Sequence, residues 1–453
     1  MKQVRSLTTG SISKELTLLS LPIVATAFLS TAYNIADMAW VGLLGGEALA
    51  GVGIGGMYVW FSQGIAFLSR MGGQVLVGQA IGAGNLEAAE KYASAAIWIS
   101  NISGALFGLI CLIFAAPMST AFGLESSIAV ESCKIYLWIV CGLSIIPFAG
   151  FTLTGIYNAQ GDSKTPLIAN FIGMVLNIIL DPIMIFGPGP LPALGILGAS
   201  SATMISQVVV LIVLIVAAQR DSQFYNVVKG IKLFEKNEKK YFTQVLRLGW
   251  PSAIQTMAYC SISMVLTLFT AGFGEIAVAI FRVGNQVESL AWNIANGFGS
   301  AINAFTAQNY GAGNMIRVRK GYKFSFAMVI AWGIFVSLLF IIFPAQLSSV
   351  FFHTEKEVLL SIDYLVIIGV GEALMCLELL TIGALQGLGK TGICSLISVT
   401  LTSARIPIAV VLSATALGLN GIWWSMSLTS MAKGLIFWAV FYIVCRRQEK
   451  RIA

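Results

Sequence analysis

The sequence predicts an all-α integral membrane protein, with about twelve transmembrane helices in two six-helix lobes. Three observations lead there. Charged residues are only 10 % of the 453, and 57 % are hydrophobic, whereas a soluble domain carries about a quarter charged residues. Apolar stretches of about 20 residues, the length that crosses a bilayer, recur along the chain. Motifs of the first half also return in the second, near an offset of 229.

The expected spans are 15–44, 48–76, 90–117, 130–158, 166–187, 194–218, 242–271, 276–307, 321–345, 359–388, 392–417 and 420–445. The first reads as a retained helix rather than a cleaved signal, because it is long, contains Pro22 and Asp37, and lacks a small-residue cleavage site. Basic residues collect at Lys2, Arg5 and Lys14, at Lys91 and Lys164, and across 220–247. They collect again from Arg317 to Lys323, at Lys390, and from Arg446 to Arg451. These are the termini and every second loop, whereas 187–194 and 418–420 hold no Lys or Arg. The positive-inside rule then places both termini in the cytoplasm of a plasma (inner) membrane protein, which requires an even number of spans. Orientation accounts for the net charge of +7, and no nucleic-acid partner is expected. The seven cysteines are scattered and mostly lie in apolar spans, as small buried hydrophobes without disulfide or zinc spacing.

The repeat rests on five matches in order. Leu21-Pro22 returns as Trp250-Pro251, Gly46-Glu47 as Gly274-Glu275, and Gln79 through Asn85 as Gln308 through Asn314. Gln160-Gly161 returns as Gln386-Gly387, and Gly195 through Gly198 as Gly418 through Gly421. With six spans per half, both halves enter the membrane the same way, a parallel repeat of the kind secondary transporters use. The one long polar connection falls between the halves. The expected division is a first lobe over 1–218, a cytoplasmic linker over 219–241 and a second lobe over 242–453. Substrate is expected at the interface between rocking lobes.

Ionisable groups inside a bilayer are expensive, so those present need partners or a task. Six stand out: Asp37, Asp181, Glu288, Glu372, Glu378 and Arg405. Counted at about 1.5 Å of rise per residue, Asp37, Asp181 and Thr203 all fall in the outer half of the membrane, on spans of the first lobe. Asn177 precedes Asp181 by four residues and shares its helix face. The matching positions of the second half, near Leu266 and Ile406, are apolar, so these acids serve one lobe. Two carboxylates, an amide oxygen and a hydroxyl at one depth suit a shared proton or a Na⁺ ion. The alternative is that the acids only hydrogen-bond neighbouring helices.

In the second lobe, Glu288, Glu378 and Arg405 fall near the membrane middle, and Glu372 lies further out. Either Arg405, the single deep cation of this reading, pairs with a glutamate, or a surplus carboxylate faces the cavity and attracts cationic substrate. Asn285 and Gln286 would keep that wall polar; Tyr33, Asn34, Gln207 and Gln255 are further wall candidates. Gly51-Val-Gly-Ile-Gly-Gly56 lacks the lysine and the strand of a phosphate loop and reads as close helix packing. Pro22 and Pro251 are expected kinks. No enzyme chemistry is expected: the only histidine, His353, falls in an outer loop, and no Gly-x-Ser-x-Gly elbow or nucleotide loop occurs. No cofactor is implied beyond H⁺ or Na⁺ as coupling ion.

Several motifs together resemble one family. They are Tyr33 through Asp37 with Val41-Gly42, Gln79 through Asn85, Gln160-Gly161-Asp162, Asn177 through Pro182, Ala202-Thr203 with Ser206-Gln207, and Gln308 through Asn314. Over essentially its whole length the chain is similar to the multidrug and toxic compound extrusion (MATE) transporters, closest to their DinF-like prokaryotic branch. The resemblance implies a V-shaped pair of six-helix lobes exporting mostly cationic aromatic compounds against an inward H⁺ or Na⁺ gradient, as a monomer in the bilayer. It implies a first-lobe cation site at Asp37, Asn177, Asp181 and Thr203. The NorM-like branch carries a helix-7 glutamate where this chain has Gln255, a departure from any NorM-type Na⁺ site in the second lobe. The competing readings are a flippase for a lipid-linked or amphiphilic substrate and, from another class, a non-transporting receptor or scaffold. A major-facilitator carrier lacks support, because Gly82-Ala-Gly-Asn85 stands where its Gly-x-x-x-Asp-Arg loop belongs.

Overall fold

In lipid a backbone must satisfy its own N–H and C=O groups, so an apolar chain without barrel patterning becomes helix. The computed structural model describes residues 6–121, 126–187, 192–220, 226–231 and 238–452, the side chains of Asn34, Ile35, Arg451 and Ile452 excepted. Every regular element among them is helical. The first repeat comprises α1 (Ile12–Gly42), α2 (Gly46–Gly82), α3 (Leu86–Thr120), α4 (Ser127–Tyr136), a π turn (Leu137–Cys141), α5 (Ile145–Ala159), α6 (Lys164–Phe186) and α7 (Ile196–Arg220). The second comprises α8 (Lys239–Ala271), α9 (Glu275–Gly311), α10 (Met315–Ile342), α11 (Pro344–Ser349), α12 (Glu355–Gly387), α13 (Thr391–Ser403), α14 (Arg405–Ser413) and α15 (Leu419–Ile452).

Among the described residues, ten helices are long and apolar enough to cross a membrane, with α13 and α14 counted as one. The α4–α5 pair, bent by 49°, makes an eleventh. The remaining long helix, α9, has 37 residues but falls outside the apolar set. Part of its polar content is interior, since Asn303, Gln308 and Asn309 are buried in it, and part is exposed, at Glu275, Arg282 and Gln286. The span expected unbroken at 130–158 is therefore broken at the π turn, and the one at 392–417 ends its first helix at Ser403.

The repeat is tighter in space than in sequence. α9 and α10 each begin 229 residues after α2 and α3. The turn between each pair uses the same device. Gly84 and Gly313 take left-handed φ values of 74° and 73°, where a Cβ would be strained. Asn85 and Asn314 then cap the next helix, accepting from the N–H of Ala88 at 2.9 Å and of Arg317 at 3.0 Å. Pro117 shapes α3 locally: Phe114, one turn earlier, leaves helical geometry at φ −105°, ψ 18°.

The chain forms two compact units, one built on Ala25–Ala253 and one on Leu7–Val24 with Ile254–Ala453. They depart from the expected 1–218, 219–241 and 242–453 at two places. The N-terminal half of α1 belongs to the second unit, and the linker with the first half of α8 belongs to the first. Each handover lies two residues past a proline, Pro22 or Pro251.

Local anchors explain both exchanges. In the second unit, buried Leu7 donates its N–H to Gln308 Oε1 at 2.8 Å and accepts from Asn309 Nδ2 at 3.2 Å. Arg317 donates to the carbonyls of Leu7, Gly10 and Thr9 at 3.2, 2.8 and 2.7 Å. In the first unit, Gln160 accepts from the N–H of buried Val227 at 2.8 Å and donates to Asn226 Oδ1 at 3.1 Å. Lys91 pairs with Glu238 at 3.0 Å, and Tyr92 donates to Gln244. Arg317→Ala should free the segment before α1. Each lost hydrogen bond is worth about 1 kcal/mol, so amide exchange at Leu7 should quicken roughly tenfold or more; unchanged exchange there would contradict the anchor.

Glycines set the helix spacing. A Cβ on Gly51 would lie 2.2 Å from the Ala129 carbonyl oxygen, and one on Gly55 2.5 Å from Tyr136 Cδ1, so these two glycines of the 51–56 run serve packing of α2 on α4, whereas Gly53 and Gly56 face open space. In the second unit a Cβ on Gly383 of α12 would lie 2.1 Å from the Gly299 carbonyl oxygen of α9. Gly383→Ala must separate those helices and should cost about 1–3 kcal/mol, read as a lower unfolding midpoint in detergent. Gly392→Ala is the control, since a Cβ there meets nothing within 4 Å.

Candidate functional site

The first unit assembles the expected polar set from α1, α6 and α7. Tyr33 and Asp37 lie one turn apart on α1, as Asn177 and Asp181 do on α6. Small residues hold α6 against α7 at this level. A Cβ on Gly198 would lie 2.2 Å from the Met184 carbonyl oxygen, and one on Gly173 2.4 Å from Val210 Cγ2. The N–H groups of Leu194 and Gly195 close the hairpin on the carbonyls of Met184 and Ile185 at 3.1 Å each. Just beyond the acids, Trp40 meets Phe186 edge to face with centroids 6.3 Å apart.

Asn177 and Asp181 are fully buried, and Asn177 Nδ2 donates to Asp181 Oδ1 at 3.0 Å. Asp37 and Asp181 are close enough for their charges to interact, and Tyr33 interacts with Asp37, Thr203 and Asp181. Much of the oxygen supply is unused: Asp37 Oδ1, Asn177 Oδ1 and Asp181 Oδ2 are buried without a hydrogen-bond partner among the described residues. Buried unpaired acceptors are costly, so such a cluster favours whatever supplies positive charge, a proton or a hard cation. No group of three or more His, Cys, Asp or Glu able to hold a metal occurs among the described residues; any cation here would rely on amide and hydroxyl oxygens beside the two carboxylates. Tyr136 of α4 also interacts with Asp37 and Tyr33, and nothing in its apolar span marks it beforehand.

The second unit rearranges the expected set. Glu378 is no open wall carboxylate: it pairs with Lys433 at 2.8 Å, both nearly buried. Among the described residues Arg405 has no carboxylate within ion-pair distance, and it donates instead to Thr429 Oγ1 at 2.9 Å and Ser430 Oγ at 2.8 Å. It is also not the single deep cation, since Lys433 is 3 % exposed. Glu288 and Asn285 accept from one hydroxyl, that of Tyr364, at 3.3 and 3.1 Å. Glu372 is buried with both carboxylate oxygens unpartnered. Gln255 Oε1 is likewise buried and unpartnered, while Gln207 is half-buried on α7. The Asn34 side chain lies outside the described residues.

The MatE family model matches the chain twice, over residues 22–183 and 251–411. The two matches begin at Pro22 and Pro251, one repeat apart. The probable multidrug resistance protein NorM of Thermotoga maritima is 28 % identical over 421 residues, covering 92 % of this chain and 89 % of that protein. The FAD transporter of Shewanella oneidensis is 26 % identical, covering 81 % of this chain and 80 % of that one. A multidrug resistance MATE family transporter solved in an outward-facing conformation superposes with a TM-score of 0.90 at 24 % identity, over 99 % of both chains.

Proposed function

The chain belongs to the MatE family of membrane transporters, and we propose that it exports drug-like, mostly cationic organic compounds in exchange for H⁺ or Na⁺. The observation that carries this reading is the pair Asp37 and Asp181, which feel each other's charge and carry buried oxygens unpartnered among the described residues. An ion drives transport only if it binds one conformation better than the other. A cluster with surplus acceptors meets that demand: filled, its oxygens are satisfied; empty, they draw in water or neighbouring donors. α1 carries Tyr33 and Asp37 in the first unit while its N-terminal half packs in the second. A shift of the helix at the ion cluster is therefore passed along one continuous backbone past Pro22. Both termini are cytoplasmic in this reading, the membrane is the inner membrane, and the monomer is the working unit.

The test is ethidium efflux from proteoliposomes, with a pH gradient and a Na⁺ gradient imposed separately. Efflux should accelerate under one of them, which names the ion. Folded protein that responds to neither would transfer the weight to an amphiphile flippase. One observation favours that second reading: deep cations now include Lys433 as well as Arg405, so acids no longer dominate the second unit as heavily as the sequence implied.

A further inference from the structure

Arg70 lies on α2, twelve residues before the helix ends at Gly82, roughly 18 Å of rise into the span. Its guanidinium sits 4.0 Å from the Phe151 ring centroid and 5.5 Å from that of Phe67. The two rings meet edge to face, 5.4 Å apart. Arg70 makes no hydrogen bond or ion pair with any described residue. Five N–H donors without an acceptor are untenable against lipid. Arg70, Phe67 and Phe151 are all half-buried.

The surroundings are built to hold it. A Cβ on Gly155 of α5 would lie 2.9 Å from Arg70 Cγ, so α5 presses on the stem of the side chain with no room to spare. One residue along, buried Ser69 and Thr152 share a hydrogen bond at 2.8 Å that ties α2 to α5. Packing alone does not call for a charge here, since an apolar side chain would fill the same gap without the desolvation penalty. Held 4.0 Å over the Phe151 ring by a cation–π contact, the guanidinium offers a fork that matches the two oxygens of a carboxylate or phosphate.

We propose that Arg70, Phe67 and Phe151 form a subsite that receives the anionic group, carboxylate or phosphate, of an aromatic or amphipathic solute. The rings take the apolar body and the fork takes the anion. This deepens the export reading, on which it rests, by naming the residues that would take the anionic group of an exported solute. Binding is therefore measured at equilibrium, without a gradient, so that failure of one idea leaves the other standing.

The probe is a xanthene dye with a free carboxylate, compared with its methyl ester, by fluorescence anisotropy on the purified full chain in detergent. Arg70→Gln should weaken binding of the acid about tenfold or more and leave the ester within about twofold; unchanged ester binding also reports an intact fold. Arg70→Lys, which keeps charge but not the planar stack, should fall between. Equal losses for both dyes, or no loss for either, would overturn the proposal. A short-chain phosphatidylglycerol forms the third arm: binding of it that depends on Arg70, with none for the acid dye, would also overturn the solute and leave a lipid headgroup in its place.

Discussion

Asp37→Asn should reduce gradient-driven ethidium efflux to the leak rate while ethidium binding stays within a few-fold of wild type. Asp181→Asn should do the same. The substitution changes charge and almost nothing else, and at Asp181 the retained side-chain carbonyl can still accept from Asn177 Nδ2, which sits 3.0 Å from Asp181 Oδ1 in the native protein. What disappears is differential ion affinity. Shifting a two-state equilibrium from 1:99 to 99:1 takes about 5.5 kcal/mol of preference for one state, and an amide gives a proton or Na⁺ no such preference. Two carboxylates within interaction range act as one unit, so the double variant should be no worse than either single one. Gradient-driven efflux at wild-type rate in Asp37→Asn would remove the first-unit cluster from the coupling path. Loss of binding together with efflux would assign Asp37 to substrate instead.

How much of this could be read from the chain depends on the kind of signal. Asp37, Asn177 and Asp181 were legible because charge in an apolar run is rare and periodicity places neighbours. The depth count put Thr203 at the same level, and in the structure it reaches Tyr33. Lys433 was not picked out: it lies among Ser425, Ser427, Thr429 and Ser430, thirteen residues before the basic terminus at Arg446, where a long stem reads as a snorkelling lysine. Only its contact with Glu378 makes it interior. The exchange of half-helices between units was illegible for another reason. Hydropathy says that residues 12–24 are buried in something; it takes Leu7, Leu16 and Leu19 packing into the second unit's core to say in what. The break in the 130–158 span has no proline at the π turn. Pro147, in the first turn of α5, has no N–H to carry the helical ladder back to Leu143 across the bend, and α3 closes in beside it, where a Cβ on Gly108 would lie 2.4 Å from the Gly142 carbonyl oxygen. The proline is a local mark, whereas the approach of α3 is a tertiary fact.

Breaking the Lys433–Glu378 pair should produce the largest loss of stability in the second unit. Both side chains are nearly out of reach of solvent and 2.8 Å apart, and removing one partner of such a pair strands the other at a cost of about 3–5 kcal/mol. The two single variants should not be equal. Glu378→Gln leaves Lys433 with Arg405 as its stronger charged neighbour and Glu288 as the weaker, opposing one. Lys433→Met strands Glu378 without its ion-pair partner but also removes a cation from the neighbourhood of Arg405, whose guanidinium keeps its bonds to Thr429 and Ser430. Glu378→Gln should therefore lower the unfolding midpoint in detergent more than Lys433→Met. The double replacement Lys433→Met with Glu378→Leu should recover most of the loss, because an apolar pair of similar volume avoids both desolvation penalties. A midpoint in Lys433→Met below that of Glu378→Gln would mean that the surplus around the pair is negative. A double variant as unstable as the worse single one would mean that the pair's geometry, rather than its charge, holds α12 against α15.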